Sequence, residues 1–309
     1  GFDMEEAQRL GELSMIYYNV GDGVESVDAA TSSLISTMKA FNIEAADAED
    51  ILDKLNYVGN NYGITSGGIG EILQRSAASM AAANTDLIKT IALGTAGNEI
   101  INNPEKVGNG LKTLAMRLRG STAELEEAGE EVDEYASSTS KMREGIMALT
   151  GVDIMKSATE YKDVYDILSE ISEKYDELTD ISQASLVEMM FGKMQGNLGS
   201  AILRNFSTAK NIFEELTAGM AEGSAAKEYD TFVDSVEGKA NKLAATLSET
   251  SVVFLDPETL KAGYDFLTNI LEVINGIAGA LGGLKTVAAV AMGALTVFKP
   301  GTALLQTIG

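Results

Sequence analysis

The stretch ILDKLNYVGN, residues 51–60, decides the class of fold. Its apolar residues follow i, i+1, i+4, i+7 spacing, which places them on one face of a helix: Ile51, Leu52, Leu55 and Val58. Two later segments repeat the stripe, one from Ile69 to Met80 and one from Leu111 to Leu118. No stretch alternates with the period of two that a half-buried strand needs. The sequence therefore predicts an all-α protein.

The first 121 residues show a weak repeat of helix, break, helix and polar stop. The breaks are Asn- and Gly-rich, at residues 19–23, 59–63 and 102–104, and the stops are Asn42, Asn84 and Ser121. Helical hairpins that each bury an apolar stripe on the next give such a pattern. Residues 1–121 are therefore interpreted as stacked helical hairpins, with an ordinary helical bundle as the alternative. The glycine clusters 21–23 and 67–70 are predicted to be turns.

Long amphipathic helices are expected next. Apolar residues step by threes and fours from Tyr161 to Leu178, which predicts about five helical turns. A Met-rich stretch, 189–194, then adjoins a break at 192–197, and is interpreted as core, with an adaptable partner surface as the alternative. Helix starts are expected at four places: Asn103-Pro104-Glu105, Asp256-Pro257-Glu258, Ser121-x-x-Glu124 and Ser157-x-x-Glu160.

The C-terminal region contains a run of 22 residues, 277–298, with one charge and no proline. That length suffices to cross a membrane. Small residues four apart would let helices approach closely, and a lysine would oppose insertion. The candidate membrane-interacting residues are Gly279, Gly283, Lys285, Ala289 and Gly293. A buried bundle helix is the alternative. The predicted regions are a hairpin core, 1–121, an acidic long-helix region, 122–250, and a hydrophobic helical segment, 251–309.

The composition narrows the possible chemistry. The 309 residues include no His and no Cys, so His-based triads, Cys nucleophiles, thiolate metal sites and disulfides are excluded. The net charge of −23 disfavours nucleic acid binding. Residues 121–190 carry 18 acidic and 5 basic side chains, interpreted as a solvated face, with a calcium site or an electrostatic lining as alternatives. No calcium loop, phosphate loop or catalytic constellation is recognised.

One compact basic spot remains, Arg117-Leu118-Arg119-Gly120. It could contact an acidic partner, although basic residues in the last turn of a helix are also explained by the helix dipole. No catalytic, cofactor-binding or metal-binding residue is therefore predicted, and the chain is not expected to be an enzyme.

Four blocks of sequence resemble the core region of phage tail tape measure proteins. They occur in the same order as in that family and extend over nearly the whole chain. The blocks are DKLNYVGNN (53–61) with GEILQRSA (70–77), IALGTAGNE (91–99), LKTLAMRLRG (111–120) with AELEEAGE (123–130), and DISQASL (180–186) with GKMQGN (192–197).

This resemblance implies a structural virion protein that lies in the tail lumen, sets tail length during assembly and reaches the host membrane at infection, where it assists genome passage. The partners that it implies are further parallel copies of the same protein, the tail tube protein, tail-tip or baseplate hub proteins and tail assembly chaperones. A residue count converts into length at about 1.5 Å per residue in an unbroken helix, and the chain has 3 prolines. The alternatives are a carboxylate-based cell-wall hydrolase and a membrane-active helical bundle or adaptor unrelated to phage tails.

Overall fold

The computed structural model describes residues 2–235, of which 75% are helical. No strand occurs in this range, where Met155 and Tyr161 form one isolated antiparallel bridge. The all-α prediction is confirmed. The helices are α1 (Met4–Val20), α2 (Val27–Phe41), α3 (Ala48–Asn61), α4 (Ser66–Ala82), α5 (Leu87–Ile101), α6 (Pro104–Arg119), α7 (Thr122–Glu127), α8 (Thr139–Thr150), α9 (Val164–Tyr175), α10 (Asp180–Arg204), α11 (Phe206–Thr217) and α12 (Ser224–Asp234), with a 3-10 turn at Ala45–Asp47.

The helix ends follow local capping chemistry. Asn103 accepts a hydrogen bond from the amide of Lys106 at 2.9 Å, and Pro104 occupies the first turn of α6, as predicted. The stops at Asn42 and Asn84 are confirmed, because both residues have positive φ, Asn42 directly after α2 and Asn84 two residues after the last residue of α4. Asn tolerates this left-handed conformation better than most residues do. The predicted helix start at residues 256–258 lies outside the described residues.

The glycine cluster at residues 67–70 is not a turn, and that prediction is wrong: α4 begins at Ser66 and includes it. A Cβ at Gly67 would lie 2.5 Å from the carbonyl oxygen of Gly23, and one at Gly70 would lie 2.8 Å from the Tyr17 hydroxyl. The glycines therefore serve close packing of α4 against the 21–24 turn and α1. Gly21-Asp22-Gly23 is a turn, as predicted.

The long helix predicted from Tyr161 to Leu178 is shorter than expected. It begins only at Val164, where the Asp163 carboxylate accepts the Asp166 amide, and it ends at Tyr175. Ser157-x-x-Glu160 does not start a helix, because the amides of Lys156 and Ser157 both donate to the Glu160 carbonyl in a tight loop. The pattern of a capping box is short enough to occur in a turn as well.

Two compact units divide the chain, residues 1–228 and 229–309. In the first, α4 packs along α6, with α2 and α5 against α4, and α1 against α2. The later helices join the same unit, because α10 packs on both α5 and α6, and α11 packs on α5. The second unit has described residues only at 229–235, where the rings of Tyr229 and Phe232 stack with centroids 6.2 Å apart. The region boundaries at 121 and 250 stay predictions.

Candidate functional site: a buried arginine at a helix break

The candidate membrane-interacting residues between Gly279 and Gly293 lie outside the described residues. The other sequence-predicted spot, Arg117-Leu118-Arg119-Gly120, ends α6. Arg117 is 1% exposed and lies among other parts of the same chain, so it is not a surface for an outside partner. Its position at the end of a helix was visible in the sequence, but the groups that surround it come from residues 131–133 and 189.

The Arg117 guanidinium makes hydrogen bonds from all three nitrogens. Nε and Nη2 donate to the carbonyl oxygen of Met189 at 3.1 and 2.9 Å. Nη1 donates to the carbonyl of Glu131 at 3.1 Å, and Nη2 also donates to the Asp133 carboxylate at 2.6 Å. A buried charge is tolerated when it is paired and its donors are satisfied in this way. Arg117 therefore holds α6, the loop at residues 131–133 and α10 together.

The Met189 carbonyl is available because α10 is broken at Gly192. This residue has φ 76° and ψ 168°, a conformation that only glycine adopts readily. The break folds α10 into two arms, so that the Arg204 guanidinium donates to Gln183 Oε1 at 3.3 Å across 21 residues. The predicted break at residues 192–197 is confirmed at Gly192 only, because residues 193–197 are helical. Met189 and Met190 are buried, as the core interpretation requires, whereas Met194 is 81% exposed.

Asp133 completes the arrangement from a short turn. Its Oδ1 accepts the amides of Tyr135 and Ala136 at 2.9 and 2.8 Å, and its Oδ2 accepts from Arg117. Burial raises the pKa of Asp133, but these amides and the guanidinium outweigh burial, so its pKa lies below the ordinary value. The turn is further anchored by a small apolar cluster of Met116, Leu125 and Ala136.

A second cation, the Lys89 ammonium group, binds two carboxylates at the start of α9. Lys89 Nζ lies 2.6 Å from Asp163 and 2.8 Å from Asp166, and its side chain is 14% exposed. It also lies over the ring of Tyr165, 5.4 Å from the centroid. Burial lowers the pKa of Lys89, but the two carboxylates outweigh this effect and raise it above the ordinary value. Part of the acidic block therefore faces cations of the first region, and not only solvent.

Arg119 has a similar role with carbonyl oxygens. Its Nη2 donates to Ala83 at 2.8 Å and to Lys162 at 2.7 Å, and its guanidinium lies over the Tyr161 ring at 4.5 Å. It thereby fixes the loop before α9 to the end of α4. Both arginines of the basic spot thus bind internal partners that the sequence did not reveal.

Polar side chains of α3 hold the start of α12. The Asp53 carboxylate accepts the amides of Gly223 and Ala225 at 2.8 and 2.9 Å. The Glu228 carboxylate accepts from the side-chain amides of Asn56 and Asn60, both at 2.6 Å. The three α3 residues belong to the block 53–61 that carries the family resemblance, but their spacing on a helix gave no indication of this contact.

In the part of the chain that the structure describes, the polar and charged side chains of this site hold the fold together. Within residues 2–235 no group of three acidic side chains is placed to hold a metal ion. No helix in that range is long and apolar enough to cross a membrane. The apolar run at 277–298 lies outside it. The charged groups of the site are used to join segments that are far apart in the chain.

A family model described as phage-related minor tail protein matches residues 1–192. The chain belongs to this family. The match covers α1 to α9 and the first arm of α10, including Arg117 and its partners. It confirms the resemblance to phage tail proteins and supports a structural role of the chain in the tail.

The chain is also similar to a protein named probable tape measure protein from Halomonas phage phiHAP-1, with 23% identity over 283 residues. The alignment covers 87% of the chain and 31% of that relative, so the chain spans about a third of the relative's length. Neither name is that of an enzyme. No solved structure matches the chain at a significant level.

Proposed function

We propose that this minor tail protein is the core region of a tape measure protein, which sets the length of a phage tail during assembly. The observation that carries the proposal is the alignment of 87% of the chain with a protein named for that role. The helical composition is compatible with it, because a helix rises about 1.5 Å per residue and converts a number of residues into a length wherever it runs unbroken. The compact packing of residues 2–228 gives this region itself a folded form.

The proposed location is the lumen of the tail, where several parallel copies would contact one another and the tail tube protein. Tail-tip or baseplate hub proteins and tail assembly chaperones are the further proposed partners. The net charge of −23 supports protein partners over nucleic acid. No sequence-specific binding of nucleic acid is part of the proposal.

Release at infection and passage of the genome across the host membrane form the second half of the proposed function. The support is the apolar run at 277–298, with Gly279, Gly283, Ala289 and Gly293 as close-approach residues and Lys285 as its single charge. Residues 251–309 are the proposed membrane-interacting region, and the host membrane is its proposed target.

The ruler function is tested in phage that encode the longer parent protein. A tandem duplication of residues 1–228 should lengthen the tails seen by electron microscopy, by less than about 340 Å, the length of a fully helical extension, because these residues fold as a compact unit. A phage carrying Arg143→Met, a surface change, serves as the control and should keep the original length. Infectious particles with unchanged tails despite the duplication would contradict the proposed ruler.

The membrane function is tested by flotation with zwitterionic phosphatidylcholine vesicles, which do not repel an acidic protein. The intact chain should float with the vesicles, and a variant with Gly283→Glu and Ala289→Glu should stay in the aqueous fraction, because charges oppose burial in lipid. Lys285→Arg is the matched control and should still float. An intact chain that stays in the aqueous fraction would end this half of the proposal.

A further inference from the structure

The two arms of α10 carry one uninterrupted amphipathic pattern. Apolar residues recur at spacings of three and four straight through Gly192, as they would along a single helix. The members of this stripe are Val187, Met190, Phe191, Met194, Leu198, Ala201 and Ile202. The sequence of α10 is therefore in phase for one continuous helix, although the structure folds it in two.

The folded form leaves one member of the stripe outside. Met194 is 81% exposed, whereas Val187, Met190 and Phe191 are buried. The arms press closely together, since a Cβ at Gly199 would lie 2.6 Å from the Phe191 ring. In a straight helix, residues 187 and 199 would be about 18 Å apart. The folded form therefore has no continuous stripe, and its two arms contact each other instead.

A single residue separates the two forms. Gly192 is the one residue inside α10 with non-helical φ and ψ. In a continuous helix the Met189 carbonyl would accept the amide of Lys193, four residues on. In the structure that carbonyl accepts from Arg117 Nε and Nη2 instead. The hydrogen bonds of Arg117 and the continuity of α10 therefore compete for the same acceptor.

We propose that Gly192 is a hinge at which α10 opens from its folded form into one continuous helix, and that Arg117 is the latch that keeps it closed. Opening needs a change of two backbone angles at Gly192, the release of Arg117 from Met189, and the separation of one arm from its neighbours, such as that of Leu198 from Gly97 and Gly110. The open helix of 25 residues spans about 37 Å and restores the helical hydrogen bond of the Met189 carbonyl. The hinge stands independently of the ruler function and is tested without phage.

The absence of cysteine allows a direct distance measurement on the full chain. Spin labels at Ile181→Cys and Arg204→Cys, both exposed, report the arms by pulsed electron paramagnetic resonance. The closed form gives about 10–20 Å, because packed helices lie about 10 Å apart, and the open helix gives about 35 Å. The labelled parent chain should show the short distance.

Two variants should populate the long distance. Gly192→Ala disfavours the positive φ that closure needs, and Arg117→Lys keeps the charge but loses the fork of donors that holds Met189. Gly196→Ala is the matched control, because its new Cβ meets only Val187 at an ordinary 3.7 Å, and it should keep the short distance.

Two outcomes would overturn the hinge. One is a short distance in Gly192→Ala with helicity by circular dichroism retained. The other is loss of helicity in Gly192→Ala together with an unchanged short distance in Arg117→Lys, since the break would then be a fixed part of the fold. A long-distance population in either variant with helicity retained supports it.

Discussion

The layer formed by α4, α5 and α6 and the acidic region that follows it, residues 121–190, are held together in different ways. In the layer, Ile72 is buried and lies against Gly94, where a Cβ would meet its Cγ2 at 2.9 Å. In the acidic region, cations add to the apolar contact of Leu125 and Ala136 with Met116: Arg117 is bound to residues 131–133 and the α10 break, and Lys89 is bound to α9. The layer is joined mainly by shape, and the acidic region by buried charge as well.

The difference shows how an acidic stretch can belong to a folded unit. Carboxylates on a surface repel one another, but Asp133 and Asp163 each meet a buried or nearly buried cation from the layer. Burial raises the pKa of Asp163 despite Lys89, so this joint retains a cost of desolvation. The acidic region is therefore expected to respond to charge, salt and pH, and the layer to volume.

The largest effect is expected from removal of the buried cation. Arg117→Met leaves the Met189 and Glu131 carbonyls and Asp133 without their donor, and should lower the free energy of unfolding by about 3–5 kcal/mol. Urea denaturation followed by circular dichroism measures it. Arg143→Met is the matched control, because Arg143 makes a two-pronged pair with Asp153 on the surface, where solvent screens the charges, and it should cost far less. Equal losses in the two variants would show that burial of Arg117 contributes nothing.

A change of volume in the layer should be nearly as large and insensitive to salt. Ile72→Ala removes three carbons from a side chain that is 1% exposed and should lower the free energy of unfolding by about 2–5 kcal/mol at low and high salt alike. Ile100→Ala, at a site that is 54% exposed, is the control and should change little. A strong dependence of the Ile72→Ala effect on salt would contradict the expected difference between the two regions.

Removal of the Asp133 charge should have a smaller effect that depends on pH. At pH 7, Asp133→Asn should lower the free energy of unfolding by about 1–2 kcal/mol, less than a fully buried charged hydrogen bond, because the carboxylate is partly in solvent. The pKa of Asp133 is lower in the folded chain, so its contribution is present above the unfolded pKa of about 3.9 and is lost as the pH falls through the folded pKa.

The two unfolding curves against pH should therefore converge in acid. Unfolding midpoints in urea, taken from pH 7 down to pH 2, measure the difference between the parent chain and Asp133→Asn. A constant difference over this range would mean that the Asp133 carboxylate does not stabilise the loop through its charge.

The smallest effect is expected at a helix cap in the layer. Asn103→Ala removes the acceptor for the Lys106 amide at the start of α6 and should cost about 1 kcal/mol in thermal or urea unfolding. Ser121→Ala is the comparison, because Ser121 precedes α7 without a side-chain hydrogen bond to its first turn, and it should cost almost nothing. A larger loss in Ser121→Ala than in Asn103→Ala would show that the Asn103 cap does not stabilise α6.

Much of the helical structure of residues 1–121 could be predicted from the sequence. The stripes at 51–58, 69–80 and 111–118 form α3, α4 and α6, and the stops at Asn42 and Asn84 end helices, because helical periodicity and caps are properties of neighbouring residues. The glycines at 67–70 were misassigned as a turn, since the close approach of α1 and the 21–24 turn, which their small size permits, is not visible along the chain.

The site itself could be predicted only in part. The basic spot was identified at Arg117, but its partners lie 14, 16 and 72 residues away, and no local pattern connects them. The start of α9 is also not visible in the sequence, because the amphipathic pattern begins at Tyr161, whereas the contacts of Arg119 with Tyr161 and Lys162 keep these residues in the loop before the helix.

The sequence by itself determined that the chain is helical, where several of its helices begin or end, and that it resembles phage tail proteins, because each of these depends on residues close together or on the order of blocks. Only the tertiary structure decided that α10 is folded at Gly192 and that Arg117 is buried there. A helical pattern is compatible with a straight or a folded α10. The choice between them depends on whether the Met189 carbonyl accepts from the distant Arg117 or from the amide of Lys193 in the same helix.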